Sequence, residues 1–299
     1  MFAACIGCFD GVHIGHQEII RTTIQKAQEN NLSTKAISIL NPWASFFPNF
    51  PGLIYPVHKR FQIIRSLGIN EIEELDLSSI KDTPPAAFVE SVLAAGVKAI
   101  VVGRDFTFGK HAAGDVALLA QLAPQLGYEL TVVPEVVLDS RKVSSSWIRE
   151  LLAQGAVEKA TLLLGRPYSI VGKVYKDKRL GRKLGFPTAN ITPDGVPLAR
   201  LRPGVYIVRS VIDDDLYFGV LNAGFRPTVN PSKEIKYEVH FFDFSADLYH
   251  KYLEIELLHL IRPELKFDTL DELTRRIAED VHVAKSWLKR NTSSSKTLT

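Results

Sequence analysis

Short apolar runs alternate with amphipathic stretches over the first half of the chain. The runs at 3–8, 35–40, 72–77, 99–102 and 129–133 have the length and composition of buried strands. The stretches between them place apolar residues on one stripe, which predicts helices over 15–30, 57–67, 84–95 and 117–126. This order favours an α/β fold with a doubly wound parallel sheet, in which ligands bind beyond the carboxyl ends of the strands.

The hydrophobic pattern changes after Gly165. Two helical stretches, at 145–154 and 157–164, come before it. Strict alternation of apolar and polar residues follows at 205–212, 236–242 and 252–261, with turn-forming clusters at 192–195, 213–215 and 230–233. Alternation with a period of two, broken by turns, is typical of an antiparallel sheet or a small β-barrel.

The last periodic segment predicts a helix over 269–289, with Asp268 as its N-cap. We therefore expect an N-terminal domain over 1–162, a barrel domain with a terminal helix over 163–290, and a disordered tail over 291–299. A chain of 299 residues has the length for two such domains.

Composition excludes several classes of protein. The chain is 46% hydrophobic and 23% charged, which is typical of a globular protein and excludes a mainly disordered one. A net charge of +3 does not argue for a nucleic-acid partner. Residues 1–10 lack the pattern of a signal peptide, and no apolar run is long enough to span a membrane. We expect a cytoplasmic protein, monomeric rather than oligomeric, whose partners are small molecules and neither nucleic acid nor membrane.

Cys5 and Cys8 form a C-x-x-C pair, a spacing found in redox and metal sites. The pair lies at the end of the first predicted strand, and no second pair completes a zinc site. We interpret both as small buried residues.

The segment 7–16, Gly-Cys-Phe-Asp-Gly-Val-His-Ile-Gly-His, is the richest in candidate chemistry. It connects the first predicted strand to the first predicted helix. Its glycines, Gly7, Gly11 and Gly15, allow the backbone to approach a ligand closely. The helix N-terminus offers N–H groups to phosphate, and His13 and His16 can donate to phosphate oxygens as charge builds.

Two further segments have the residues of a nucleotide site. The run 142–149 begins a helix with Ser144, Ser145 and Ser146, which can cap it and bind an anion, and places Arg149 in its first turn. The run 102–110 follows a predicted strand and carries Asp105, Phe106 and Phe108. An acid at 105 repels phosphate unless it binds a cation or a hydroxyl. A polar turn with both phenylalanines in the core is the alternative, and the aromatic segment 38–52 is either a flavin-stacking loop or simply packed.

The sequence His-Ile-Gly-His at 13–16 spells the signature of the nucleotidylyltransferase superfamily, which includes class I aminoacyl-tRNA synthetases, and segment 7–16 resembles bacterial FAD synthetases in particular. The resemblance implies adenylyl transfer, with ATP and a flavin as ligands. Catalytic roles then fall to His13, His16 and Arg149. Nucleotide contacts fall to Gly7, Phe9, Gly11, Gly15, Ser144, Ser145 and Ser146, and flavin contacts to Asp105, Phe106 and Phe108.

A second glycine-rich segment follows position 172. Basic residues, Lys178 among them, stand between Gly172, Gly181 and Gly185. Such a loop can cradle phosphate, although the order of a Walker A motif is missing. A basic surface hairpin is the alternative interpretation.

The C-terminal half resembles riboflavin kinases at five segments: 165–168, 187–190 (Pro-Thr-Ala-Asn), 222–228 (Asn-Ala-Gly-Phe-Arg-Pro-Thr), 236–244 and 260–264. The resemblance implies that Thr188 and Asn190 hold Mg²⁺ and ATP, and that Glu238 is the base that takes a proton from riboflavin. Further implied nucleotide contacts are Gly172, Lys178, Gly181, Gly185 and Pro187, and implied flavin contacts are Asn222, Arg226 and Arg262. The other histidines, His240 among them, are interpreted as structural or surface residues.

Together the motifs resemble the bifunctional riboflavin kinase/FMN adenylyltransferase family, the prokaryotic FAD synthetases. The implied function is phosphorylation of riboflavin to FMN by the C-terminal domain and adenylylation of FMN to FAD by the N-terminal domain. Three alternatives stay open. One of the two sites has only a flavin-binding role, the chain is a relative of class I tRNA synthetases, or it is a flavin-binding regulator without enzymatic activity.

Overall fold

The structure, a computed structural model, describes residues 1–40, 50–176, 185–193, 197–225 and 235–292. The chain forms two compact units. The N-terminal unit comprises 1–148 and 163–165, and the C-terminal unit comprises 149–162 and 166–299. Lys178, Gly181, Arg226 and the segment 41–49 lie outside the described residues.

The N-terminal unit is built on a five-stranded parallel sheet. Its strands are β1 (Phe2–Gly7), β2 (Ser33–Leu40), β3 (Glu71–Asp76), β4 (Val97–Gly103) and β5 (Glu129–Val133). Their order, β3-β2-β1-β4-β5, places β1 between β2 and β4. The strand order therefore reverses at β1, and the crevice beyond the carboxyl ends of β1 and β4 is the expected ligand position in such a sheet.

Helices and short elements complete this unit. They are α1 (Ile14–Glu29), α2 (Val57–Ser66), α3 (Leu77–Ile80), α4 (Pro85–Ala94), α5 (Val116–Leu126), a hairpin of β6 (Val137–Leu138) and β7 (Arg141–Lys142), α6 (Ser145–Gln154) and α7 (Val157–Leu164). The last two cross the division between the units. Apolar side chains of the sheet, such as Ile6, Ile37 and Ile100, pack with Val92 and Leu119 from the helices. The predicted doubly wound sheet is thus confirmed.

The C-terminal unit is a closed six-stranded antiparallel barrel. Its strands are β8 (Ser169–Tyr175), β9 (Ala189–Pro193), β10 (Gly204–Ile212), β11 (Asp215–Phe225), β12 (Ile235–Phe241) and β13 (Tyr252–Pro263). They pair in the order β10-β11-β12-β9-β8-β13, and β13 closes the barrel on β10. The predicted barrel is confirmed.

Helix α8 (Leu270–Thr292) covers one side of the barrel. Ala284 is fully buried, and Val281 and Leu288 pack against Val205 and Val220. The N-cap is Thr269, whose hydroxyl accepts from the Glu272 N–H at 3.2 Å, so the prediction of Asp268 was wrong by one residue. The helix also includes 291 and 292, which were predicted to belong to the tail; residues 293–299 lie outside the described part.

The sequence pattern did not reveal β8, β9 or β11. Glycines interrupt the alternation in β11, and one of them is required by the sheet, because a Cβ at Gly219 would lie 2.4 Å from the His240 carbonyl oxygen. In the described part of the chain, no helix is both long and apolar enough to cross a membrane.

Candidate active sites

The loop between β1 and α1 presents two stacked imidazoles. His13 is the N-cap of α1, and its Nδ1 accepts a hydrogen bond from the His16 backbone N–H at 3.3 Å. The His13 and His16 rings stack with centroids 3.6 Å apart, and Phe9 meets His16 edge-on at 5.4 Å. An Nδ1 that accepts carries no proton, so neutral His13 has its N–H on Nε2 and donates from that atom.

The backbone of this loop is strained in the left-handed region. Phe9 has φ 50°, Gly11 has φ 81° and Val12 has φ 42°. Glycine is required at 11 because a Cβ there would lie 2.9 Å from Ile54 Cδ1. At Gly15 a Cβ would lie 3.1 Å from the His13 ring, so this glycine leaves room for the imidazole. Strain of this kind persists where it shapes a functional site.

Asp10 and Arg60 hold the loop between β1 and α1 in place, although the sequence analysis singled out neither residue. The buried Asp10 carboxylate accepts the Ile54 N–H at 3.0 Å, and Arg60 donates to the Cys8 carbonyl oxygen at 2.7 Å. Burial lowers the pKa of Arg60, and the negative charge of Asp10 opposes that shift. The position of Asp10 between Gly7 and Gly11 was the available sequence signal.

Helix α6, which carries most of the run 142–149, contacts this loop. The Ser144 hydroxyl caps α6 by accepting the Trp147 N–H at 3.2 Å, and the Ser145 hydroxyl donates to the Asp10 carbonyl oxygen at 2.8 Å. Ser146 is exposed, and Arg149 follows Ser145 four positions later in the same helix. The structure thus brings the segment 7–16 into contact with the start of the run 142–149.

The loop after β4 carries Asp105, which pairs with Lys142. The Lys142 Nζ lies 2.6 Å from Asp105 Oδ2 and 2.7 Å from Glu135 Oε1. Burial lowers the pKa of Lys142, but the hydrogen bonds that it donates to Asp105 and Glu135 outweigh burial, and the net pKa is raised. Phe108 is buried in the core beside Phe88, and Phe106 packs against that core, which supports the core alternative for Phe108. The carboxylate of Asp105 therefore faces a cation within the protein.

The C-x-x-C pair does not behave as a redox or metal site. Both cysteines are free; Cys5 is buried as predicted, whereas Cys8 is only partly buried. Burial raises the pKa of Cys5 to about 12 and that of Cys8 to about 11, so both are thiols at neutral pH. Among the described residues, no group of three or more His, Cys, Asp or Glu is arranged to hold a metal.

In the barrel, three polar residues line up across neighbouring strands. Asn190 of β9 is paired with Glu238 of β12, and Glu238 is paired with Asn222 of β11. Residues in register on adjacent strands point to the same face of the sheet. The neighbours of Glu238, Tyr237 and Val239, are buried on the opposite face. The predicted base therefore shares one face with the residues that were predicted to hold the metal and the flavin.

Two features of Glu238 and Asn190 suit these residues to binding and catalysis. Lys236, two positions before Glu238 on the same face, places its Nζ 2.5 Å from Glu238 Oε1. The Asn190 side chain is buried, and its Oδ1 has no hydrogen-bond partner among the described residues. Thr188, just before β9, is half-buried. A buried amide oxygen without a donor is costly, unless a ligand such as a cation occupies it.

The glycines predicted for nucleotide binding have distinct positions. Gly172 allows β8 and β9 to approach, because a Cβ there would lie 2.4 Å from the Thr192 carbonyl oxygen. Gly185 has φ 84°, and a Cβ built there would have no atom of the described residues within 4 Å. Pro187 is exposed two residues further on.

Arg262, predicted to contact flavin, is engaged by Asp280. Its Nε donates to Asp280 Oδ1 at 2.9 Å and its Nη2 to Asp280 Oδ2 at 2.7 Å, with both side chains more than nine-tenths buried. This two-point pair ties β13 to α8. Nearby, Glu264 accepts the Phe225 N–H at 3.2 Å and holds the end of β11.

His240 contacts the Pro-Thr-Ala-Asn segment, a contact that the sequence analysis missed. Its Nδ1 lies 2.9 Å from the Pro187 carbonyl oxygen, and its ring meets Phe186 edge-on at 5.5 Å. The only sequence signal was its place two residues after Glu238, on the same face of β12.

The fold and the two sites define a two-domain transferase, with a nucleotidylyltransferase-type α/β unit followed by a flavokinase-type barrel. Residues 2–147 match the FAD synthetase family, and residues 164–288 match the riboflavin kinase family. The chain belongs to the family of bifunctional riboflavin kinase/FMN adenylyltransferases and is an enzyme of that family.

Individual relatives support this assignment along the whole chain. The chain is 34% identical to the bifunctional riboflavin kinase/FMN adenylyltransferase of Haemophilus influenzae, over 95% of this chain and 94% of that protein. It is 34% identical to the Bacillus subtilis protein of the same name, over 92% and 89%. A crystal structure from Streptococcus pneumoniae, named a macrolide-efflux protein, is 29% identical with a TM-score of 0.86 and 96% of this chain covered. That structure shares the fold of both units.

Proposed function

We propose that each unit of this chain performs one of the two reactions of its family. The C-terminal barrel transfers the γ-phosphoryl group of ATP to riboflavin, giving FMN and ADP. The N-terminal unit transfers AMP from a second ATP to FMN, giving FAD and pyrophosphate. The observation that carries the proposal is the pair of family matches: residues 2–147, with His13 and His16, match the FAD synthetase family, and residues 164–288, with Glu238, match the riboflavin kinase family.

At the barrel, Glu238 acts as the base. The nucleophile is a neutral alcohol, so a carboxylate within reach must take its proton as the oxygen attacks the γ-phosphorus. Lys236 forms an ion pair with the Glu238 carboxylate, with its Nζ 2.5 Å from Oε1, and so orients that carboxylate before the substrate arrives. Asn222, exposed beside Glu238 in the sheet, is placed to contact the flavin.

Mg²⁺ fits the residues at the start of β9. Asn190 offers a buried amide oxygen that lacks a donor among the described residues, and Thr188 offers a hydroxyl two positions earlier. Hard oxygen ligands of this kind suit Mg²⁺, which neutralises charge on the transferred phosphate. Arg262, held by Asp280, supports the flavin side of the site through the position of β13.

At the N-terminal unit, positioning and charge stabilisation are sufficient. The FMN phosphate is already anionic, so its attack on the α-phosphorus needs no base. The Nε2–H of His13, the ring of His16 and the first N–H groups of α1 offer donors to phosphate oxygens. The run 142–149 adds Ser144, Ser145 and Arg149 to this site. Asp105 and Phe106 contact the flavin.

We keep a cytoplasmic location and a monomeric state as proposals. Two free cysteines are compatible with a reducing compartment, and both reactions consume ATP. The ligands required by the two reactions are small molecules. Neither nucleic acid nor membrane has a role in them.

A time course with purified protein, riboflavin, ATP and Mg²⁺, resolved by chromatography, tests the proposal. We expect FMN to rise first and then to be converted into FAD. FMN that accumulates without FAD, even with excess ATP, supports the single-activity alternative. Flavin binding without turnover supports the regulator.

A further inference from the structure

We propose that His240 is a positioning residue for phosphoryl transfer, which holds the Thr188–Asn190 segment in line with the strand that carries Glu238. The inference rests on the proposed roles of these residues in the kinase site. In this role, His240 does not contact the substrate. It acts through the backbone carbonyl oxygen of Pro187, to which its Nδ1 lies at 2.9 Å.

The backbone ladder between β9 and β12 ends just before this contact. Tyr237 pairs with Ile191, Glu238 with Asn190 and Val239 with Ala189, and that is the last pair. Pro187 has no N–H and cannot extend a ladder. Thr188 therefore lies beyond the end of the backbone pairing, although Asn190 lies within it. The side chain of His240 supplies a bond that the backbone does not.

The bond fixes more than one atom. A peptide bond is planar and trans, so holding the Pro187 carbonyl oxygen on the side of His240 turns the Thr188 N–H to the opposite side. The orientation of the Thr188 backbone is then set relative to β12. Since Glu238 and His240 are two residues apart on that strand, the base and the proposed phosphate and metal ligands are held by one rigid element.

The chemistry of the bond defines its proton. A carbonyl oxygen only accepts, so His240 donates from Nδ1–H. The contact of the ring with Phe186 at 5.5 Å keeps the imidazole in place and is separate from the hydrogen bond. A test must therefore distinguish loss of the donor from loss of the ring.

His240→Asn and His240→Leu form a matched pair. The Asn Nδ2 occupies the position of His Nδ1, and Leu has the shape of Asn without the donor. We expect His240→Leu to raise the KM for ATP in FMN formation about tenfold and to lower kcat, in keeping with the loss of a residue that orients metal or phosphate ligands. We expect His240→Asn to stay within about threefold of wild type, the scale of one altered hydrogen bond.

Two further readouts separate positioning from general damage. The KM for ATP in FAD formation from FMN, measured on the same full-length variants, should stay unchanged, because that site lies in the other unit. Backbone hydrogen exchange without nucleotide or Mg²⁺ should be faster in the peptide covering 185–193 for His240→Leu, and near wild type for His240→Asn.

Three results overturn the inference. Kinase kinetics of His240→Leu that equal wild type remove the role. Equal impairment of the Asn and Leu variants assigns the effect to the ring and not to the donor. Unchanged hydrogen exchange in both variants shows that the bond does not hold the segment. If wild-type protein forms no FMN at all, the proposed kinase function fails instead, and hydrogen exchange still reports on the tether.

Discussion

Asp105 and Lys142 form an ion pair of 2.6 Å that joins the loop after β4 to the β6–β7 hairpin. Lys142 also binds Glu135 at 2.7 Å, so one ammonium group lies between two carboxylates. The acid that the sequence analysis singled out as a source of repulsion to phosphate is therefore neutralised within the protein. Its partner, Lys142, is the first residue of the run 142–149.

The first prediction follows from this pair. Lys142→Met leaves Asp105 and Glu135 uncompensated near the flavin side of the site, and we expect the KM for FMN in FAD formation to rise several-fold. Asp105→Asn should have a small effect, because exposed ion pairs contribute only about 0–1 kcal/mol. The double variant should recover part of the loss. Steady-state kinetics with FMN as the varied substrate decide this. No recovery would assign Lys142 to ATP directly.

A second prediction concerns the buried pair of Arg262 and Asp280. Removing one partner leaves an uncompensated buried charge, which typically costs about 3–5 kcal/mol. We expect Asp280→Ala to lower the melting temperature of the barrel strongly and to reduce FMN formation. Arg275→Ala, an exposed position on the same helix, is the control. A melting curve of Asp280→Ala that overlays the control contradicts a structural role for the pair.

A third prediction tests the close approach of β8 and β9. A methyl group at 172 would meet the Thr192 carbonyl oxygen at 2.4 Å, so Gly172→Ala must separate the two strands. We expect a loss of stability of about 1–3 kcal/mol and a larger KM for ATP in the kinase reaction. Lys173→Ala, at an exposed position on the same strand, should change neither quantity. Denaturant unfolding followed by kinase assays of both variants provides the measurement.

A fourth prediction uses the thiol of Cys8. Burial raises its pKa to about 11 from a usual 9.0, so at pH 8 its thiolate fraction is about 100-fold lower than that of an ordinary cysteine. Because only the thiolate reacts, iodoacetamide should label native Cys8 slowly, and the rate should keep rising with pH up to about 11. The urea-unfolded chain is the reference. Fast labelling of native protein at pH 7 would show a reactive cysteine instead.

Much of the fold was accessible from the sequence, because its elements are strongly periodic. The bounds of β5, α6 and α7 agree with the predicted ranges. Helix α1 begins and ends one residue earlier than predicted, and α2 ends one residue earlier. Strands β8, β9 and β11 were missed for a physical reason. Their glycines allow a neighbouring strand to approach closely, and the proline in β9 lies where the backbone pairing ends. Both roles depend on the neighbouring strand and cannot be recognised from the sequence of one strand alone.

The sequence named residues for the candidate sites, but it did not show how these residues are arranged. The motifs named His13, Ser145 and Glu238, but the stacking of His13 on His16 and the bond from Ser145 to Asp10 depend on tertiary contacts. Arg262 has a partner that the sequence did not reveal. A charged residue in a recognised motif was assigned to flavin, and its guanidinium is held by Asp280, eighteen residues away in the sequence.

The central claim is that each unit performs its own reaction, and reciprocal variants in the full chain test it most directly. Rates of FMN formation from riboflavin and of FAD formation from FMN are measured for Glu238→Gln and for His13→Ala/His16→Ala. We predict that Glu238→Gln lowers the first rate at least about 100-fold, the scale of a lost general base, and leaves the second unchanged. The double histidine variant should do the opposite. If either variant lowers both rates together while remaining folded, two independent active sites are contradicted.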